Sequence, residues 1–279
     1  MQPVNALTLT LHAAPAQRVD ASPLIPKNLL GLSKAEIGSI TLITGNQRVR
    51  VDEIFKISGD NAHHLIFAGE TTKLDYIGKN FTGDQIEVQG PCGAYVGMGM
   101  KAGQINIHGS VDAFAACEMV GGLLKVNGNS GDFLGAARPG NRAGMAGGTV
   151  IIAGNVGARA GDQMRRGTIL VEGNASDYLG ARMIAGTIAV LGKTGNYLGY
   201  GMRRGTLLLW QTPDKLSATF NDCGPHTLDF LPFMLASYKG LETRFAALTE
   251  ITRRVHRYCG DMASLGRGEI LIRIKKTAV

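Results

Sequence analysis

The chain has 279 residues, enough for one or two domains with a buried core and no need of covalent staples. Its 39 Gly are about twice ordinary usage, yet 44% of the residues are hydrophobic, which excludes disorder and points to repeated tight turns. The net charge of +7, from 29 Lys and Arg against 22 Asp and Glu, favours an anionic partner only mildly, and no helix-turn-helix, zinc-finger or aromatic-basic pattern argues for nucleic acid.

The opening MQPVNALTLTLHA lacks a basic start followed by an unbroken apolar run. No apolar stretch of about 18 residues occurs, so no membrane span and a cytoplasmic location are expected. Leu7 to Leu11 alternates as a strand, and Ser33 to Ile37 suits a short helix. Residues 1–60 are expected to form an N-terminal cap. Phe55 and Ile57 before Gly59, and Leu65 and Phe67 before Gly69, read as irregular first coils.

From there the chain repeats. The glycines closing successive apolar runs are Gly90, Gly109, Gly128, Gly154, Gly173 and Gly192, spaced 19, 19, 26, 19 and 19. Four residues before each stand Ile86, Ile105, Leu124, Val150, Ile169 and Ile188. Two before stand Val88, Ile107, Val126, Ile152, Val171 and Val190. That period of two marks a strand with one buried face, and a strand returning every 19 residues stacks in parallel on its next copy. The fold class expected is therefore an all-β core, a single-stranded parallel β-helix (solenoid) over 61–210. An N-terminal α/β cap would precede it, and a helical and strand tail over 211–279 would follow. A 19-residue coil is no multiple of six, which excludes the hexapeptide acyltransferase fold.

Two further columns accompany the strands. Met100, Met119, Met145, Met164, Met183 and Met202 share one register, best read as a thioether ladder filling the interior. Tyr95, Phe114, Phe133, Arg159, Tyr178 and Tyr197 share another, beside Val96, Ala115, Leu134, Ala160, Leu179 and Leu198. One of these two neighbouring columns must face inward. Asp112, Asp132 and Asp177 are expected to bond their own turn backbone.

The polar feature that departs from the repeat is basic. Arg165-Arg166 and Arg203-Arg204 lie two coils apart, and Arg182 lies near the corner between them. Arg138 and Arg142 sit in the seven-residue insertion Ala137–Ala143. This edge is either salt-bridged or an interface, or it holds an anionic ligand. Downstream, Leu228 to Tyr238 is apolar with helical spacing around Pro232. Phe245 to Arg254 suggests a second helix, and Glu269 to Arg273 a last strand. A tail so apolar must bury a face over the last coil or against a partner. Cys92, Cys117, Cys223 and Cys259 form no metal-binding spacing, and no catalytic triad or phosphate loop is present.

These Met-x-x-Gly-x-Ile-x-Val-x-Gly coils resemble the domain shared by the C-terminal part of glutamate synthase and the C subunit of formylmethanofuran dehydrogenase. The insertion Gly140-Asn141-Arg142-Ala143-Gly144-Met145 and the tail Tyr258-Cys259-Gly260-Asp261, with Gly266-Arg267-Gly268-Glu269-Ile270-Leu271, resemble the C subunit. Within that family the chain is most similar to the C subunit of the formyltransferase/hydrolase complexes of methylotrophic bacteria. The resemblance implies a scaffold that is not catalytic by itself and binds no cofactor or metal alone. Its partners would be amidohydrolase-like and formyltransferase subunits. The complex would use a methanofuran-type carrier and tetrahydromethanopterin, and the arginines would meet the carrier's polyglutamate tail. The alternatives it leaves are a reductive tungsten or molybdenum enzyme and a glutamate-synthase-type structural domain.

Overall fold

The computed structural model describes residues 5–248 and 253–274. The chain opens with β1 (Ala6–Leu11) and β2 (Val19–Asp20), then α1 (Pro26–Leu29) and α2 (Lys34–Ser39). The hydroxyl of Ser33 accepts from the Glu36 amide while the Glu36 carboxylate accepts from the Ser33 amide, the reciprocal cap that fixes the start of α2. Next come β3 (Thr41–Thr44), β4 (Gln47–Arg50), α3 (Val51–Ile54), β5 (Phe55–Ser58), β6 (Asn61–Ala68) and β7 (Leu74–Asp75).

The repeats supply β8 (Thr82–Val88), β9 (Ala102–Ile107), β10 (Leu123–Val126), β11 (Ala146–Ile152), β12 (Arg166–Val171), β13 (Thr187–Val190) and β14 (Arg204–Leu209). The tail adds β15 (Asn221–Thr227), α4 (Phe230–Ala236), β16 (Arg254–Gly260) and β17 (Arg267–Arg273). Among the described residues thirteen strands form one sheet, ordered β15-β16-β17-β14-β13-β12-β11-β10-β9-β8-β6-β1-β5, and β4-β3-β2-β7 form a smaller one. No helix among them is long and apolar enough to cross a membrane.

Every pair from β8 to β14 is parallel and in the register that the closing glycines set. Ile86, Ile105, Leu124, Val150, Ile169, Ile188 and Leu207 lie side by side, as do Val88 through Leu209 two residues on. All of these are buried. A slip of one residue would turn both rows to the opposite face, so the buried rows lock the register. A second line of parallel bridges joins Cys92, Val111, Ser130, Val156, Ala175 and Thr194, so successive repeats also stack on their turn side.

The Met column is interior, with all six side chains fully buried. Its partner is a glycine column one repeat further on. A Cβ on Gly148, Gly167, Gly186 or Gly205 would lie 2.7–2.9 Å from the methyl of Met119, Met145, Met164 or Met183 respectively. Each thioether methyl thus fills the space a side chain would need. An unbranched, flexible side chain suits that reach along the stack.

Of the two neighbouring columns at the corner, Val96, Ala115, Leu134, Ala160, Leu179 and Leu198 face inward and are buried. The aromatics point outward and stack ring on ring. Tyr76, Tyr95, Phe114 and Phe133 have centroids 4.9, 4.9 and 4.7 Å apart, and Tyr178 and Tyr197 are 4.6 Å apart. Arg159 takes the missing ring's place, its guanidinium 4.5 Å from the Tyr178 centroid. These residues have φ between 57° and 61°, the left-handed region. The cost of that conformation, about 1–2 kcal/mol per residue, is offset by the stacking and by backbone hydrogen bonds between repeats. The Tyr95 amide, for example, donates to the Ala113 carbonyl and that of Phe114 to Asp132.

The turn aspartates depart from expectation. Asp132 Oδ1 accepts from the Ala158 amide and Asp177 Oδ1 from the Asn196 amide, both at 2.7 Å and both in the next repeat. Asn155 does the same for the Asn174 amide. A stacked turn places the next repeat's amide nearer than a free turn's own, so these carboxylates tie repeats together. Asp112 alone of the three accepts from its own neighbour, the Ala113 amide, and it also pairs with Arg18. That hydrogen bond from Arg18 is the main reason its carboxyl lies below the ordinary 3.8. A depressed folded value means the pair stabilises the fold above the ordinary carboxylate range, and the gain is lost as pH falls through the lowered value. Both partners are exposed, so the effect stays below about 1 kcal/mol. Melting temperature measured across the acid range should fall more steeply for the native chain than for Arg18→Ala; parallel slopes would remove this role.

The two ends of the sheet correct the sequence reading. Leu65 and Phe67 in β6 do continue the parallel rows, paired with Ile86 and Val88. Phe55 and Ile57 do not form a coil, because β5 runs antiparallel to β1 at the sheet's edge. β1 itself joins β6 in parallel, with Leu7 beside Leu65 and Leu9 beside Phe67. In the tail, residues 244–247 form a single 3-10 turn and Arg254 opens β16, while residues 249–252 of the expected second helix lie outside the described residues. Val255 to Gly260 pairs antiparallel with β17, and Arg254 pairs with Thr227 of β15. β17 extends the parallel sheet beside β14, with Leu207 against Ile270 and Leu209 against Ile272.

The apolar face of the tail is buried on the chain's own sheet. Leu231, Leu235, Tyr238 and Phe245 cover Ile151, Leu170, Ala189, Leu208 and Leu271 on the sheet's outer face. Trp210 meets Phe245 edge to face at 5.6 Å. Glu172 accepts from both the Thr243 hydroxyl and the Arg244 amide at 2.7 Å, and Lys125 pairs with Glu242.

Candidate functional site

The seven-residue insertion does not enter a strand. It lengthens the corner between β10 and β11 and folds over the aromatic column, forming a cleft of about 280 Å³. Phe114 and Phe133 line it on one side, Arg138, Pro139 and Asn141 of the insertion on another, and Asp162, Gln163 and Arg182 from the next corners complete it. Two carboxylates organise its polar groups. Glu118 receives the Arg138 Nε at 2.9 Å, the Arg138 amide at 3.1 Å and the Asn141 amide side chain at 2.6 Å, which holds the insertion down. Asp162, with a side chain only 3% exposed, receives Arg182 through two nitrogens at 2.8 and 2.5 Å and Arg159 at 3.5 Å. A buried carboxylate needs such partners, and the two-point guanidinium contact satisfies both oxygens. That hydrogen bond raises the Arg182 pKa above its ordinary value against the opposing effect of burial.

The seven arginines singled out in the sequence therefore divide by partner. Arg138 and Arg182 line the cleft and are committed to Glu118 and Asp162. Arg142 stands exposed on the insertion. Arg165, Arg166, Arg203 and Arg204 are exposed, and none of them has an ion pair among the described residues. Arg166 and Arg204 sit in one register two strands apart, since Thr168, Thr187 and Thr206 are neighbours. Their separation is about 10 Å by strand spacing.

Arg267, which the sequence reading passed over, lies directly beside Arg204 and is also exposed. The signal for it was present. Arg166-Gly167-Thr168-Ile169-Leu170 and Arg204-Gly205-Thr206-Leu207-Leu208 recur as Arg267-Gly268-Glu269-Ile270-Leu271. Asp162 and Glu118 were missed too; only their place one repeat before Arg182 and Arg138 hinted at them.

The exposed cations form an edge suited to a polyanion. Among the described residues, no three His, Cys, Asp or Glu side chains converge as a metal site requires. Burial raises the Cys92 thiol far above its ordinary range and the Cys117 thiol to about 12, so neither is a nucleophile near neutrality.

Against known proteins, the family model described as the GXGXG motif matches residues 75–227, more than half of the chain. The chain belongs to the GXGXG motif family. The C subunit of the formyltransferase/hydrolase complex of Methylorubrum extorquens is 38% identical over 86 residues, 31% of this chain and 32% of that protein. The C subunit of the tungsten-containing formylmethanofuran dehydrogenase 2 of Methanococcus maripaludis is 30% identical over 94 residues, 33% of this chain and 35% of that one. These two alignments thus span about a third of each curated relative. The structural likeness is wider. A chain of the crystal structure of the Methylorubrum extorquens formyltransferase/hydrolase complex with methylofuran superposes with a TM-score of 0.90 at 36% identity, covering 96% of this GXGXG chain and 100% of that one. The resemblance to the C subunit, read from the repeats and the tail, thus holds.

Proposed function

We propose that this chain is the scaffolding C subunit of a formyltransferase/hydrolase complex, one that passes a formyl group from formyl-tetrahydromethanopterin to a methanofuran-type carrier and releases it as formate. The observation that carries the reading is the likeness over the whole of a chain taken from such a complex, at 36% identity. The stacked repeats are read as a single-stranded parallel β-helix over 61–210, with 1–60 and 211–279 as its caps. The partners are the amidohydrolase-like and formyltransferase subunits, which carry the chemistry. The arginine edge of Arg165, Arg166, Arg203 and Arg204, with Arg138, Arg142 and Arg182 near the insertion, faces either those subunits or the carrier's polyglutamate tail.

A reductive tungsten enzyme is the second reading, supported by the Methanococcus relative at 30% identity. The higher identity and full coverage of the hydrolytic relative favour the first. Tagged chain purified from its native cell should bring down formyltransferase and amidohydrolase-like subunits, and the eluate should release formate. Tungsten or molybdenum in the eluate would favour the second reading. An amidotransferase in their place, or formate release by the isolated chain, would overturn the proposal.

A further inference from the structure

Cys223 and Cys259 stand apart from the other two cysteines. Cys92 and Cys117 are buried in the repeats, whereas Cys223 is exposed on β15 and Cys259 is half-buried on β16. β15 and β16 are antiparallel, with Asn221 opposite Cys259 and the register shifting between Asp222 and Pro225. Cys223 is therefore in the bulged stretch, and its thiol bends back to 3.6 Å from the Asn221 carbonyl. Asn221, two residues before Cys223, stands directly opposite Cys259, so the two cysteines are diagonal neighbours across the strand pair. The bulge is held from both sides, because Asp222 Oδ1 accepts from the Gly224 amide at 2.8 Å and contacts His256 Nε2 at 2.6 Å. Diagonal neighbours on paired antiparallel strands come within reach of a disulfide with a modest adjustment of the bulge.

We propose that Cys223 and Cys259 form a reversible dithiol–disulfide pair that takes a small-molecule disulfide oxidant such as oxidised glutathione. The exposed Cys223 thiolate attacks one sulfur of the oxidant, and one glutathione thiolate leaves. Cys259 Sγ then attacks the Cys223 sulfur, the protein S–S bond forms, and the second glutathione thiolate leaves. Two electrons pass from the protein to the oxidant, and the two thiol protons end on the two glutathiones. Burial raises the Cys259 thiol pKa, so the exposed Cys223 is the thiol that meets the oxidant first. The bond would close the segment holding α4 and the 244–247 turn, the elements that cover the sheet's outer face.

The test uses the full chain, alone and within its native complex, exposed to oxidised glutathione, alkylated with N-ethylmaleimide and mapped as unreduced peptides. Labelling at Cys223 and Cys259 should be lost together, a peptide joining the two should appear, and dithiothreitol should restore both labels. Cys259→Ser should stop at a glutathione adduct on Cys223, with circular dichroism confirming its fold. A stable adduct on Cys223 of the native chain beside an alkylatable Cys259 would overturn the proposal. So would two thiols that remain fully alkylatable after oxidation.

Discussion

Gly103→Ala should destabilise the chain by about 4 kcal/mol, at the upper end of single substitutions, and leave much of it insoluble. Two effects combine. Gly103 has φ of 87°, where an L side chain is strained by about 1–2 kcal/mol. A Cβ there would also lie 2.0 Å from the Gly83 carbonyl oxygen and 2.8 Å from the Phe81 ring. The oxygen belongs to the backbone of the preceding strand, so relief requires the two repeats to part, which strains the register of both buried rows. Gly31→Ala is the control. Its φ is 80°, and nothing lies within 4 Å of the added carbon. It should lose only the conformational part, about 1 kcal/mol. Denaturant midpoints of both variants decide the matter, and equal losses would mean that close stacking contributes nothing.

The same comparison explains how much the sequence disclosed. The repeat was legible because each structural demand falls on one residue every 19 positions. Inward rows demand Ile, Leu or Val, and the site under a thioether methyl admits only Gly. The seven-residue insertion was legible as an interruption of that count. Its consequence, a cleft against Phe114 and Phe133, was not, because a loop's path depends on the counter-ion Glu118 one repeat earlier.

The tail was the hardest to read. Its last strand was legible from the apolar run at Glu269 to Arg273, but β15 and β16 follow from antiparallel pairing with each other and with β17, which local spacing does not show. One clue did lie in the repeats. The outward position reads Glu87, Asn106 and Lys125, then Ile151, Leu170, Ala189 and Leu208. That change from polar to apolar marks where the tail settles, since an outer face turns apolar only where something covers it.

Replacing Arg165, Arg166, Arg203 and Arg204 together by Ala, in the assembled complex, should raise the apparent KM for a polyglutamylated carrier about tenfold at low salt, with kcat little changed. These cations have no ion pair among the described residues, so their removal orphans no carboxylate and leaves the fold intact. Adding Arg267→Ala should deepen the effect, because Arg267 neighbours Arg204 on the same edge. Arg182→Ala is the contrasting case. It strips a buried carboxylate of its two-point partner and should lower stability whatever it does to the carrier. Salt separates attraction from packing. The native KM should climb with ionic strength while that of the fourfold variant stays nearly flat, since screening removes only what exposed charge supplied. An unchanged KM in an intact complex would take the edge away from the carrier. Loss of assembly would give the edge to a partner subunit instead, because an exposed cation row that holds no ligand but holds the complex together is an interface.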